Sequence, residues 1–112
     1  MTASQVVVTL ALLAQMYGVD PALIECLSYY EFGHNAMATN GDYIGPLQLG
    51  SEFWHEFAPR YLADETAPHR AYVAANNDRS DPLAGMIVGT WALAHGYRER
   101  WSANRLCSEV GR

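Results

Sequence analysis

Two Asp-Pro pairs, Asp20-Pro21 and Asp81-Pro82, restrict the fold more than any other feature of this sequence. Aspartate accepts hydrogen bonds from the free N–H groups at a helix start, and proline suits the first helical position. We therefore predict one helix from Pro21 to about Phe32, where Gly33 can end it, and a long helix over residues 82–100.

The remaining segments also favour helices, joined by short loops. Small and polar residues over 34–44 indicate a loop with a short hairpin, and Gly45-Pro46 predicts a rigid bend. Together these signals predict a mainly α fold. The further predicted helices cover residues 4–16, 51–57 (begun by Ser51 and ended by Pro59), 69–75 and 103–110.

Length and charge narrow the class of protein. A chain of 112 residues, half of them apolar, is sized for a single domain over residues 1–112. Its net charge of −5 and the lack of a Lys or Arg run argue against nucleic acid as a partner. Any attraction to an anionic surface would have to come from local groups such as Arg98, Arg100 and Arg105. The apolar stretch 6–14 is too short to span a membrane, which takes roughly 20 residues.

The cysteines, Cys26 and Cys107, lack the CxxC spacing of metal or redox sites, so no metal or other cofactor is expected. No positive charge precedes stretch 6–14 and no small-residue cleavage site follows it, so no export signal is visible. Buried free thiols are therefore favoured over a disulfide that would tie the C-terminal tail to the second helix.

Glu31 is the candidate catalytic residue. Ile24, Leu27 and Glu31 are spaced three and four apart, which places the carboxylate on the apolar face of its helix. Burial and the nearby negative end of the helix dipole should both raise its pKa, as general acid catalysis near neutral pH requires. The alternative is a glutamate that turns to solvent or pairs with an arginine.

Four segments resemble, in the same order, the lysozyme-like fold of lytic transglycosylases and goose-type lysozymes. Tyr17-Gly18-Val19-Asp20-Pro21-Ala22-Leu23-Ile24 is similar to the opening helix boundary of that family, and Glu31 to Asn35 to its Glu-Ser-x-x-Asn stretch. Gly45 to Gln48 looks like Gly-Leu-Met-Gln, and residues 81–93 look like its long C-terminal helix. The resemblance covers roughly residues 10–58 and 81–100.

The resemblance implies that Glu31 is the acid that breaks the bond between N-acetylmuramic acid (MurNAc) and N-acetylglucosamine (GlcNAc) in peptidoglycan. It also implies that Gln48 lies in the substrate cleft; the alternative role of its amide is to hold the bend. Tyr30 and Tyr43 flank the loop and the acid, so we expect them to contact sugar rings. Asn35 should fix the loop that follows the catalytic helix.

The sequence also departs from the family pattern. Phe32 stands in place of serine, and Pro46 in place of an apolar residue. No counterpart of the late Ala-Tyr-Asn-x-Gly segment exists, so one cleft wall is missing, is rebuilt by Tyr97 and Trp101, or comes from a partner chain.

The sequence is compatible with four functions. With one carboxylate, the substrate's own N-acetyl group can assist, which favours a lytic transglycosylase. A lysozyme (muramidase) would need a second carboxylate, for which Asp42 is the candidate, although an aspartate after Asn40-Gly41 is typical of a turn. A catalytically inactive glycan-binding or assembly module is the third, and a helical interaction protein unrelated to sugars ranks last.

The expected substrate, the glycan strands, lies in the periplasm or outside the cell. Because no export signal is visible, we expect delivery by a phage particle, a lysis system or a secretion assembly, with the protein associated with the virion in the first case.

Overall fold

The structure, a computed structural model, describes residues 1–110, and of Phe32 only the backbone. These residues form a mainly helical domain with one short hairpin, which confirms the predicted fold class. The five α-helices are α1 (Ala3–Tyr17), α2 (Pro21–Phe32), α3 (Ser51–Ala63), α4 (Arg70–Ala75) and α5 (Pro82–Ala94). Strands β1 (Thr39–Asn40) and β2 (Tyr43–Ile44) pair antiparallel, and two 3-10 helices, Arg98–Arg100 and Ser102–Cys107, follow α5.

Both Asp-Pro pairs begin helices, as predicted. The Asp20 carboxylate accepts a hydrogen bond from the Ala22 N–H at 2.9 Å, and Asp81 accepts one from the Ala84 N–H at 3.0 Å. Helix α5 is the centre of the domain, because every residue over 84–93 is buried. Helices α1, α3 and α4 pack against it.

Two predicted helix ends were wrong. Helix α3 continues past Pro59 to Ala63, since Pro59 lies on its exposed side while Phe57 and Tyr61 are fully buried. Helix α5 stops at Ala94 instead of running to residue 100, because Gly96 adopts the left-handed backbone conformation, with φ at 89°.

The start of α3 also differs from the prediction. Gly50, not Ser51, is the N-cap residue and has no side chain to offer. The Asp42 carboxylate supplies the cap instead, accepting hydrogen bonds from the Ser51 N–H at 2.8 Å and hydroxyl at 2.9 Å. The hairpin turn that carries Asp42 is thereby fixed to α3.

The prediction of free thiols was wrong as well. Cys26 on α2 and Cys107 at the end of the second 3-10 helix form a disulfide, with their Cα atoms 6.0 Å apart. The two elements pack directly against each other, which brings residues that are 81 positions apart in sequence within bonding distance.

Candidate active site

Glu31, next to the end of α2, lines a cleft of about 250 Å³. Four other parts of the chain meet here: the hairpin, the bend after it, the first turn of α3 and the C-terminal segment. We call it the Glu31 cleft. Its lining residues are Glu31, Asn40, Tyr43, Gln48, Leu49, Gly50, Phe53, Arg100, Trp101 and Ser102.

The Glu31 carboxyl is partly buried, and this burial raises its pKa above the ordinary value. A hydrogen bond from the backbone N–H of Ala103 lowers the pKa in part, since it stabilises the charged form, but burial is the larger effect. The direction predicted from the helix pattern is confirmed. A carboxyl in this state stays protonated to higher pH and can donate its proton to a leaving oxygen.

Gln48 holds the bend and also lines the Glu31 cleft. Its Nε2 donates hydrogen bonds to the carbonyls of Ala38 at 3.2 Å and Gly45 at 2.9 Å, so the buried amide holds the bend. The same residue lines the Glu31 cleft. Its backbone is left-handed, with φ at 52°, which costs about 1 kcal/mol or more for a residue other than glycine and persists only where the surroundings enforce it.

Of the three tyrosines predicted to contact substrate or to rebuild the cleft wall, one lines the cleft. Tyr43 does so, with 54 % of its surface exposed. Tyr30 lies beside Tyr29 in a separate shallow groove on another side of α2. Tyr97 packs against Phe57, with ring centroids 4.8 Å apart, and is not among the cleft residues.

Asp42 lies in a groove that adjoins the Glu31 cleft, and does not line the cleft itself. Hydrogen bonds from the Ser51 backbone N–H and hydroxyl lower its pKa, and the Arg79 guanidinium, 2.9 Å away, lowers it further. Both carboxylate oxygens are therefore engaged in holding the hairpin to its neighbours. Among the residues that line the cleft, Glu31 is the only one with a carboxyl group.

The C-terminal segment forms one wall of the Glu31 cleft. Arg100, Trp101 and Ser102 line it, and the Trp101 Nε1–H donates to the Leu47 carbonyl at 2.9 Å. Arg100 is held by Glu56, whose two oxygens accept from Nη2 at 2.8 and 2.7 Å. The sequence analysis named Trp101 as a possible wall residue but missed Arg100 and Ser102. A Cys26–Cys107 pairing was the one signal in the sequence that would have placed this segment beside the helix that carries Glu31.

Neither a metal site nor a membrane-spanning helix is found in the part of the chain that the structure describes. No group of three or more His, Cys, Asp or Glu side chains over residues 1–110 is arranged to hold a metal ion. Over the same residues, no helix has the length and apolar character needed to cross a membrane.

Comparisons of the chain with protein-family models, with curated proteins and with solved structures found no match. The likeness to lytic transglycosylases therefore rests on the sequence motifs.

Proposed function

We propose that this protein is a lytic transglycosylase that cleaves the MurNAc–GlcNAc bond of peptidoglycan glycan strands, with Glu31 as the general acid and then the general base. The observation that carries the proposal is one partly buried carboxyl, with a raised pKa, in a cleft without a second carboxylate. The four sequence segments that resemble the family, in the family's order, support the choice of substrate.

The proposed reaction begins when Glu31 donates its proton to the bridging oxygen, so the bond from MurNAc C1 breaks and the GlcNAc hydroxyl leaves. The substrate's N-acetyl oxygen stabilises the positive charge that develops at C1, which replaces a second carboxylate. Ionised Glu31 then takes the proton of the MurNAc C6 hydroxyl, and that oxygen attacks C1. The products are a 1,6-anhydromuramic end and a protonated Glu31, ready for another cycle.

The Ala103 N–H suits this exchange of roles. It donates to the Glu31 carboxyl and so stabilises the ionised form that exists between the two proton transfers. Burial acts in the opposite direction and keeps the resting carboxyl protonated. The balance between these two effects favours a group that both gives and takes a proton.

The lysozyme alternative has less support, because the Asp42 oxygens are occupied by Ser51 and Arg79.

The place of action follows from the substrate: we propose the cell wall, in the periplasm or outside the cell. A disulfide persists in such an oxidising compartment and rarely in the cytosol, which supports that location. Delivery by a phage particle or a secretion assembly stays a proposal.

The test is release of soluble fragments from purified, dye-labelled peptidoglycan by wild type and Glu31→Gln. We expect a loss of about 100-fold or more, the contribution of a general acid. Glu25→Gln is the matched control, because Glu25 is on the same helix, is exposed, and lies outside the cleft. Equal activity of Glu31→Gln and wild type, with unchanged circular dichroism, would remove Glu31 from the mechanism.

A further inference from the structure

The second 3-10 helix, Ser102–Cys107, lies directly against the catalytic helix α2. It begins with Ser102, which lines the Glu31 cleft, and with Ala103, whose N–H donates to the Glu31 carboxyl. It ends with Cys107. The group that binds Glu31 and the cysteine that bonds to α2 are thus four residues apart on one short element.

Residues 98–107 are attached to the domain by side chains at both ends: Arg100 pairs with Glu56, and Trp101, Ala103 and Cys107 are buried in the core. Trp101 donates to the Leu47 carbonyl, and Arg98 donates from Nη2 to the Cys107 carbonyl at 3.1 Å, a bond within the segment itself. Runs of 3-10 helix have poor hydrogen-bond geometry and little stability of their own. Ser102–Cys107 also packs against α2 through non-covalent contacts, and the bond from Cys107 to Cys26 is the covalent link between them.

Cys26 precedes Glu31 by five positions on α2, so the disulfide holds the Ser102–Cys107 helix to the same stretch of helix that carries the carboxyl. Without it, only non-covalent contacts hold Ser102–Cys107 against α2, and this part of the wall can shift away from Glu31. Glu31 would then lose part of the cover that keeps it from water, together with its N–H donor. We propose that the Cys26–Cys107 disulfide positions this wall against Glu31, and that glycan cleavage depends on the oxidised state of the pair.

This inference rests on the proposed function. It adds that the redox state of the surroundings controls glycan cleavage. The switching step is thiol–disulfide exchange with a dithiol. One thiolate of the dithiol attacks a cysteine sulfur, which breaks the Cys26–Cys107 bond, releases one cysteine thiolate and leaves a mixed disulfide. The second thiolate of the dithiol attacks the dithiol's own sulfur in that mixed disulfide and releases the other cysteine thiolate. Two cysteine thiols form, and the dithiol is oxidised to its own disulfide. The protein would be inactive in a reducing cytosol and active at the wall.

The experiment compares wild type, with and without dithiothreitol, and Cys26→Ala/Cys107→Ala. Fragment release near neutral pH should fall about tenfold or more on reduction and in the double variant, the scale of a misplaced catalytic group. The double variant should not respond further to dithiothreitol. Undiminished release by the reduced, folded wild type would overturn the proposal.

A pH profile separates positioning of Glu31 from general loss of structure. An acid catalyst works protonated, so activity falls as pH rises through its pKa. Reduction should hydrate Glu31, which lowers its pKa, and should weaken the Ala103 hydrogen bond, which raises it. Because burial is the larger effect on this carboxyl, the pKa should fall and the falling limb should move to lower pH. A uniform loss at every pH, with the limb unmoved, would contradict the proposal.

Ala103→Pro tests the same contact with the disulfide intact, which matters if the reduced protein unfolds. Proline removes the N–H donor at an early position of a helix, where its own backbone is tolerated. The pKa of Glu31, followed by carboxyl-carbon NMR, should rise in this variant. Leu106→Ala, exposed on the same 3-10 helix, is the matched control. An unchanged Glu31 pKa in Ala103→Pro would overturn the proposal, and this measurement holds even if no glycan is cleaved.

Discussion

Gly85 and Gly89 lie one turn apart on α5, and replacing each by alanine should change stability in opposite directions. A methyl group on Gly85 would lie 3.6 Å from the Arg79 carbonyl and 3.8 Å from Leu49 Cδ1, which are ordinary contacts. On Gly89 it would lie 2.6 Å from Leu47 Cδ1 and 3.6 Å from the Trp101 ring, and both of these side chains are buried.

The magnitudes follow from two effects. Glycine to alanine inside a helix stabilises by about 1 kcal/mol. Overpacking a core costs about 1–3 kcal/mol. Gly85→Ala should therefore gain up to about 1 kcal/mol, and Gly89→Ala should end about 1–3 kcal/mol less stable than Gly85→Ala.

Urea denaturation followed by circular dichroism measures both changes, provided that the slope with denaturant is the same in each variant. Equal shifts of the two midpoints in one direction would refute the packing argument. Since Leu47 precedes Gln48, Gly89→Ala should also reduce glycan cleavage, whereas Gly85→Ala should not.

Three further predictions concern the carboxylates outside the cleft and the disulfide. Asp42→Asn should keep glycan-cleaving activity within a few-fold of wild type, because Asp42 does not line the cleft; a loss near that of Glu31→Gln would favour the lysozyme alternative. Asp64 has its pKa lowered to about 2, chiefly by the Thr66 hydroxyl and the Trp91 N–H, so its contribution to stability is present above about pH 4 and is lost as pH falls toward 2. Urea midpoints between pH 4 and pH 2 should thus fall less in Asp64→Asn than in wild type, and parallel curves would contradict this. Reducing the Cys26–Cys107 bond, which spans 81 positions, should cost about 4.5 kcal/mol in unfolding free energy if loop entropy dominates; a cost below about 1 kcal/mol would exclude that account.

Local sequence signals predicted the elements that depend on neighbouring residues. The Asp20 and Asp81 caps, the glycine ends of α1 and α2, and the turn residues of the hairpin are all decided within a few positions of the chain. The ends of α3 and α5 were missed for another reason. Whether Pro59 faces solvent, and whether Gly96 turns the chain, depends on what the rest of the domain packs against each helix.

The residues of the candidate site fall into the same two groups, those marked by local sequence patterns and those placed by long-range packing. Glu31, Gln48 and Tyr43 were selected from residues 31–48, and the fold brings them into one cleft. The wall made by Arg100–Ser102 comes from the far end of the chain, where no local pattern marks it. Long-range packing, together with the Cys26–Cys107 disulfide, brings this wall next to Glu31.

Mass spectrometry of the muropeptides released from purified peptidoglycan tests the central claim most directly. The account predicts fragments with 1,6-anhydromuramic ends from the wild-type protein and none from Glu31→Gln. Fragments with reducing ends would instead make the protein a lysozyme. No release by the folded, oxidised wild type would contradict catalysis altogether and favour a glycan-binding module.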